Sequence, residues 1–357
     1  MFNGQRLTVA RQRRGLTGRA LSQEADISPI TVSRLERGEN KPDEDTIQKL
    51  SRALRYPVSF FFGDDLDVIE TEAVSFRSLS KMRAVERDSA LSAGSIALQV
   101  SDWLEERFSL PNPNFIDLSY EDNIEAAART LRDYWSIGVR SIASMIGLLE
   151  KHGARVFSLS EATASVDAFS FWRDGVPFVF LNTFKTAERG VFDAAHELGH
   201  LVLHRHGGTH LSRQAEREAD AFASAFLMPA EDVRSRMPRR ISTDTILKAK
   251  KRWRVSAMAM AYRLHKLELL TDWQYKSTCI ELSRRGYRTD EPDGIEREHS
   301  RVWKTVFTQL WSEKTTKQDM AKELALPIDE LESIFFGLIG ASDRTSQAEA
   351  VKLSSVT

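Results

Sequence analysis

Cysteine is almost absent from this sequence, since Cys279 is the only one among 357 residues. A single cysteine excludes an internal disulfide and any metal site built from several thiolates, so a metal ion would need histidine and carboxylate ligands. The 18 glycines and 10 prolines are too few for a fibrous or a disordered chain. The composition is therefore that of a globular protein.

Long apolar segments are also missing. No run approaches the roughly 18 apolar residues of a membrane span. The first residues, MFNGQRLTVARQRRG, lack the apolar core and the cleavage site of a secretory signal. We therefore expect a cytoplasmic protein with no membrane partner.

What is present is 41% hydrophobic and 28% charged residues, in a chain long enough for about two or three domains. The net charge of −1 hides a basic N-terminal segment, because residues 1–56 contain eleven Lys and Arg against seven Asp and Glu. This segment suits a polyanionic partner, although a solvated basic surface would have the same composition.

Helical spacing of apolar residues runs through most of the chain, and only residues 154–182 have a strand-like pattern, with a hairpin turn at Asp174-Gly175. The predicted fold class is therefore mainly α with a small β-sheet (α+β). Residues 284–300 are strongly charged and predict a linker. Residues 315–331 faintly resemble the N-terminal helices, as any helical hairpin could.

The segment FDAAHELGHLVLH, residues 192–204, places His196 and His200 four residues apart on a predicted helix. At this spacing the two imidazoles lie about 6 Å apart along one helix face and can bind one metal ion. Glu197 flanks them. The HExxH pattern is typical of zinc peptidases, in which zinc lowers the pKa of a water molecule, the glutamate accepts its proton and the hydroxide attacks a peptide carbonyl. A helix with two packed histidines is the alternative.

Such a site needs a third protein ligand, for which three residues compete. His204 lies on the same stripe, but about 9 Å along the helix axis from an ion held by the first two histidines, so we exclude it. His206 stands at the third-histidine spacing of the metzincin pattern, yet Leu203 replaces that pattern's glycine. Glu216, on the next helix, is the best candidate.

Glu216 and Asp220 are four residues apart on one face of a helix predicted over residues 215–229. Glu216 can therefore bind the metal, while Asp220 accepts a hydrogen bond from a ligand histidine and fixes its tautomer. Glu218 points to nearly the opposite side. The alternative for Glu216 is a solvated helix charge.

HELGH followed by ExxADxFAxxFLMP resembles the ImmA/IrrE family of zinc metallopeptidases, over roughly residues 120–265. The resemblance implies that Zn²⁺ is bound by His196, His200 and Glu216, with Glu197 as the base. It also implies limited cleavage of a partner repressor protein. The family's later Tyr-Arg-Leu run is matched at residues 262–264, where Tyr262 is a candidate oxyanion donor or a packed core residue.

Residues 16–42 have the pattern of two short helices around a turn at Asp26. The first helix starts at Thr17, and the second is capped by Ser28 with Pro29 in its first turn. Eight residues of the second helix and its end are expected to meet DNA. They are Pro29, Ile30, Thr31, Ser33 and Arg34 for base edges, and Arg37, Asn40 and Lys41 for phosphates.

This segment, with its SRLERG run at residues 33–38, resembles the XRE-type helix-turn-helix over residues 5–61. Where that family usually has a phosphate-contacting glutamine, this chain has Gly18, which also lowers helix propensity. The resemblance implies a double-stranded DNA operator as partner and, because two-fold sites are read by dimers, a homodimer. A helical interaction module is the alternative.

Together these motifs predict an order of domains. A five-helix helix-turn-helix bundle occupies residues 1–62 and a helical connector 63–118. A zincin-like metallopeptidase domain follows over 119–270, then a C-terminal helical region over 271–340 and a flexible tail over 341–357. The predicted protein is a DNA-binding regulator with a zinc endopeptidase (HExxH, gluzincin-like) that cleaves a repressor or regulator. The alternatives are a non-proteolytic repressor whose zinc domain senses a ligand or partner, and an antitoxin-like regulator.

Overall fold

The computed structural model describes residues 1–69, 74–76, 83–159, 166–205, 213–288 and 290–340. Helices make up most of these residues and a few short strands form one sheet, which confirms the α+β prediction. By packing, the chain divides into two compact units. The first comprises Met1–Leu110, Phe157–Asp167 and Arg301–Thr357, and the second comprises Pro111–Val156 and Ala168–Ser300. The predicted flexible tail lies outside the described residues.

The first unit begins with the predicted N-terminal bundle. Its elements are α1 (Gly4–Arg13), α2 (Gly18–Glu24), α3 (Pro29–Glu36), α4 (Glu44–Leu54) and a 3-10 helix (Val58–Phe62). Each of the four α-helices begins after a residue whose side chain accepts a backbone N–H of the first turn, which satisfies donors that the helix leaves unpaired. These caps are Asn3, Thr17, Ser28 and Asp43.

The remaining elements follow in chain order. They are β1 (Ser75–Phe76), α5 (Ala84–Glu105), α6 (Ile124–Tyr134), α7 (Met145–Lys151), β2 (Arg155–Ser158), β3 (Ala168–Arg173), β4 (Val176–Leu181), α8 (Ala187–Leu203), α9 (Arg213–Leu227), α10 (Ala230–Arg236), α11 (Thr243–Trp253), α12 (Ala257–Lys266), α13 (Asp272–Arg284), α14 (Arg301–Ser312), α15 (Lys317–Glu323) and α16 (Ile328–Ile334). Among the described residues, no helix is both long and apolar enough to cross a bilayer.

Strands β3 and β4 form an antiparallel hairpin in the second unit, with Ala168 opposite Leu181 and Arg173 opposite Val176. The turn residues Asp174 and Gly175 both have positive φ, 50° and 78°, as the tightest hairpin turns require. β3 lies against α8, where the indole N–H of Trp172 donates to the carbonyl of Leu201 at 3.2 Å. The hairpin therefore packs against one face of α8, the helix that carries the HExxH motif.

Candidate metal centre

Helix α8 carries the three residues of the HExxH motif in the core of the second unit. His196 and Glu197 are fully buried and His200 is 2% exposed. The Nε2 atoms of the two histidines converge to 3.1 Å, as their four-residue spacing requires. Both rings therefore point to a common position beside the helix.

Helix α9 brings Glu216 to the same position. Its Oε2 lies 3.5 Å from Nε2 of His196, and its Oε1 lies 3.4 Å from Nε2 of His200. The three side chains form a cluster whose potential ligand atoms all lie within 4.8 Å of one another. Two nitrogens and one carboxylate are the donor set of many open zinc sites.

The close approach of α8 and α9 depends on Gly199. A Cβ at this position would lie 3.2 Å from the Cα of Ala219 and 3.2 Å from the ring of Phe222, both on α9. Glycine at this point on α8 lets the backbone of α9 come near enough for Glu216 to reach the two histidines.

The charges of the cluster suit a cation. Burial lowers the pKa of His200 to about 3, so its imidazole is neutral and able to act as a ligand. Burial opposes ionisation of Glu216, but its contacts with His196 and His200 outweigh burial and hold the pKa of this carboxyl well below its ordinary value. A neutral imidazole and an ionised carboxylate are the forms that bind a metal.

The first ligand candidate, His196, has an outer partner. Its Nδ1 lies 3.0 Å from Oδ1 of Asp220, one helical turn beyond Glu216. A hydrogen on Nδ1 that is donated to this carboxylate leaves Nε2 with its lone pair facing the cluster.

A second hydrogen-bonded chain extends from His200, and the sequence patterns did not predict it. Nδ1 of His200 lies 3.0 Å from Nδ1 of His204, and Nε2 of His204 lies 2.9 Å from Oε2 of Glu218. If His200 keeps its Nε2 free for a metal, its Nδ1–H donates to His204, whose own Nε2–H then donates to Glu218. His204 therefore lies behind a ligand candidate, and Glu218 is directed at His204.

Glu197 has the position and the electrostatics of a buried base. Its Oε2 accepts a hydrogen bond of 2.7 Å from the hydroxyl of Ser170 on β3, while its buried Oε1 has no hydrogen-bond partner among the described residues. Burial raises the pKa of Glu197 to about 8, although the neighbouring His196 and the Ser170 hydroxyl act in the opposite direction. Ser170 is a further residue of the site that no sequence motif marks.

The residues present fit a zinc ion. The cluster has two imidazole nitrogens and an ionised carboxylate. Beside it, the buried Oε1 of Glu197 is an acceptor for which the described residues supply no donor. Buried polar atoms normally have a partner, so an unsatisfied oxygen next to a potential metal site indicates a missing group. Water held by a metal would supply that donor.

Of the two other candidates, one has no hydrogen bond to the histidines of the cluster among the described residues, and the other lies outside those residues. Tyr262 is on α12, where the ammonium of Lys266 lies 5.5 Å from its ring centroid. Among the described residues, no hydrogen bond joins Tyr262 to the histidines, and its role as an oxyanion donor stays a prediction. His206, the metzincin-type alternative, lies outside the described residues.

In the N-terminal bundle, the turn between α2 and α3 has the predicted geometry. Asp26 has a φ of 51°, the Ser28 hydroxyl accepts the N–H of Thr31, and Pro29 occupies the first position of α3. The predicted DNA-facing residues are all exposed except Thr31, which is half-buried. Ile30 is 66% exposed, which is unusual for a large apolar side chain and suits a residue that meets a partner.

The bundle and the histidine–glutamate cluster define a chain that joins a helix-turn-helix domain to a metallopeptidase-type domain. Comparison with known families agrees. Residues 9–61 match the helix-turn-helix family model, and residues 149–265 match the model of the IrrE N-terminal-like domain, peptidase family M78. The order of the two matches is the predicted one. No curated protein matches the chain.

Proposed function

We propose that the second unit is a zinc-dependent endopeptidase in which His196, His200 and Glu216 hold the metal and Glu197 is the general base. The observation that carries this proposal is the convergence of three potential ligand atoms beside a buried carboxylate oxygen that has no hydrogen-bond partner among the described residues. A purely structural zinc site has no need for such a base.

When bound, zinc supplies a positive charge that makes water more acidic and polarises a peptide carbonyl. The chain's own residues prepare for this chemistry. Oε1 of Glu197 is the atom that takes up a proton, and the Ser170 hydroxyl holds the opposite carboxylate oxygen in place. In the metal-free protein burial raises the pKa of Glu197 to about 8, towards the neutral range in which a group that takes up a proton and later transfers it to a leaving amine must work.

Asp220 and the His204–Glu218 pair act on the ligand histidines. Each fixes the Nδ1 side of one ring, so that both Nε2 atoms face the metal without a rotation of the imidazoles. We propose a positioning role for both.

We propose further that the N-terminal bundle reads a double-stranded DNA operator as part of a homodimer, and that the peptidase makes a limited cut in a repressor or regulator protein. The basic charge of residues 1–56 and the exposed face of α3 support the first part. The union of both domains in one chain supports the second, because the reader would bring the peptidase to DNA-bound proteins.

The test is co-expression of the chain with the products of its neighbouring genes, followed by a search for proteins that are cut. Wild type should produce a defined fragment that is absent with Glu197→Gln, which keeps the shape of the side chain but cannot accept the proton. Glu231→Gln, which changes an exposed carboxylate on α10, serves as the matched control and should cut like wild type. A fragment that persists with Glu197→Gln, or cutting by no variant, would favour a regulator whose zinc domain senses a ligand or partner.

A further inference from the structure

Helices α14 to α16 repeat the geometry of α1 to α3 at a fixed separation of 299 residues. Helix α2 runs from residue 18 to residue 24, and α15 runs from 317 to 323. Helix α3 begins at residue 29 and α16 at residue 328. The caps correspond as well, since Thr17 precedes α2 and Thr316 precedes α15, each accepting the N–H three residues on.

The turns of the two segments also correspond. Positive φ occurs at Asp26 (51°) and at Ala325 (55°), between the paired helices. The same holds at the two flanking turns, where residues 15 and 314 have φ of 65° and 61°, and residues 38 and 337 have φ of 70° and 71°. Three of these six residues, Asp26, Lys314 and Ala325, are not glycine, and left-handed backbone is rare for such residues, so the shared separation of 299 residues indicates the same helix-turn-helix path.

The cores match in the same register. Leu21, Val32 and Leu35 are buried in the first segment, and Met320, Leu331 and Ile334 are buried in the second. Residues 301–337 are therefore a second helix-turn-helix, which we call the C-terminal copy.

The two segments differ on the face that is expected to meet DNA. In the C-terminal copy, carboxylates or apolar residues replace six of the residues of that face, and a serine replaces the basic Arg34. The replacements are Ile328, Asp329, Glu330, Glu332, Ser333, Phe336 and Ile339, at the positions of Pro29, Ile30, Thr31, Ser33, Arg34, Arg37 and Asn40. Acidic side chains repel phosphates, so this face cannot lie on a duplex as the first one can.

Two of these acids bind the N-terminal bundle instead. Oε2 of Glu330 lies 2.6 Å from Nη2 of Arg13 at the end of α1, and both side chains are almost completely buried. Next to them, Oδ2 of Asp329 lies 2.7 Å from Nη1 of Arg14. Oε1 of Glu330 also lies 3.3 Å from Nη1 of Arg14, so this buried carboxylate faces both arginines, and its removal would leave the buried charge of Arg13 without a carboxylate.

We propose that the C-terminal copy is a helix-turn-helix that serves as a protein-binding module. Its second helix, α16, binds the DNA-reading bundle through ion pairs with Arg13 and Arg14. Each chain then has one DNA-reading bundle and one module that binds this bundle at the end of α1. The part of this proposal that concerns DNA rests on the proposed reading role of α3. The contact of α16 with the bundle does not depend on that role.

A reciprocal exchange at one equivalent position tests the DNA part. In the full chain, Ser33→Glu places the copy's residue in the reader, and Glu332→Ser places the reader's residue in the exposed position of the copy. Binding is measured with a random-sequence duplex of about 30 base pairs over a series of salt concentrations. Ser33→Glu should weaken binding several-fold, whereas Glu332→Ser should leave both the affinity and its salt dependence unchanged. Any change of affinity with Glu332→Ser would overturn the proposal.

The contact between the C-terminal copy and the N-terminal bundle is tested without DNA. Its failure can therefore be distinguished from failure of the proposed DNA-reading role, which would show as an unchanged DNA affinity of Ser33→Glu. Glu330→Gln should lower the midpoint of thermal unfolding by about 5 °C or more, since it leaves the buried Arg13 without its carboxylate, and Arg13→Met should lower it less, since Arg14 remains beside Glu330. The double variant should lose clearly less than the sum of the two. Glu332→Gln, an exposed change on the same helix, should match wild type. If the decreases in unfolding midpoint of the two single variants simply add in the double variant, the proposed contact between Glu330 and Arg13 is contradicted.

Discussion

Burial of Glu197 in the core should make the metal-free protein lose stability, relative to a variant without this carboxyl, as the pH rises from about 5 to 8. Burial raises the pKa of this carboxyl from 4.5 to about 8. The folded protein therefore keeps a proton that the unfolded chain releases, and folding stability falls as the pH rises between these two values. Their difference corresponds to at most about 5 kcal/mol, all of it lost by pH 8.

Glu197→Gln isolates this effect, because glutamine resembles the protonated acid and does not titrate. We expect the urea midpoint of wild type minus that of the variant, measured with a chelator present, to fall between pH 5 and pH 8, because titrations of other groups such as His200 are common to both proteins. The variant should therefore gain relative stability as the pH rises. The exposed control Glu231→Gln should follow wild type. Parallel curves for wild type and Glu197→Gln would refute the claim that this carboxyl is buried with a raised pKa.

Three further predictions concern the neighbours of this carboxylate. Gly199→Ala should lower the free energy of unfolding by about 1–3 kcal/mol, because its Cβ meets the backbone of α9. Gly190→Ala on the same helix meets no atom within 4 Å and should raise that free energy by up to about 1 kcal/mol, so equal effects in urea titrations would contradict the packing argument. His204→Ala should weaken zinc binding about 10- to 100-fold in chelator competition, and an unchanged affinity would exclude its positioning role. Ser170→Ala removes a hydrogen bond that lowers the pKa of Glu197, so the acid limb of the peptidase pH profile should move to higher pH; an unmoved limb would count against this contact.

Local patterns in the sequence predicted much of the site. The pairing of His196 with His200, and of Glu216 with Asp220, follows from the period of a helix and needs no knowledge of the rest of the chain. The hairpin at Asp174-Gly175 was predictable for the same reason, since turn chemistry is local. The ligand role of these residues stays a prediction, but the structure brings them together.

Contacts between distant segments were not predictable. Ser170 reaches Glu197 only because β3 lies against α8, and the His204–Glu218 pair depends on how α8 crosses α9. Spacing along one helix predicts that His204 is not a metal ligand but could not show which groups its ring contacts.

Charge composition predicts a linker at residues 284–300 but could not show which groups its acids contact. In the structure, acids of this segment accept backbone N–H groups at helix starts, where the helix dipole favours a negative charge. Glu291 accepts the N–H of Ala257 at the start of α12, and Glu298 accepts that of Ile146 at the start of α7. Charged residues therefore join this segment to α7 and α12 within the second unit.

The C-terminal copy shows a similar limit. Residues 315–331 only faintly resemble the N-terminal helices in sequence, because the positions that define a DNA reader have changed and those that define its core have kept only their apolar character. Backbone angles, which the sequence does not display, made the correspondence visible.

The most direct test of the metal centre is the zinc content of purified protein, measured by elemental analysis for wild type and three single variants. We predict about one zinc per chain in wild type and in Glu197→Ala, and loss of zinc in His196→Ala and in Glu216→Ala. Zinc retained after Glu216→Ala, or lost after Glu197→Ala, would contradict the assignment of ligands and base.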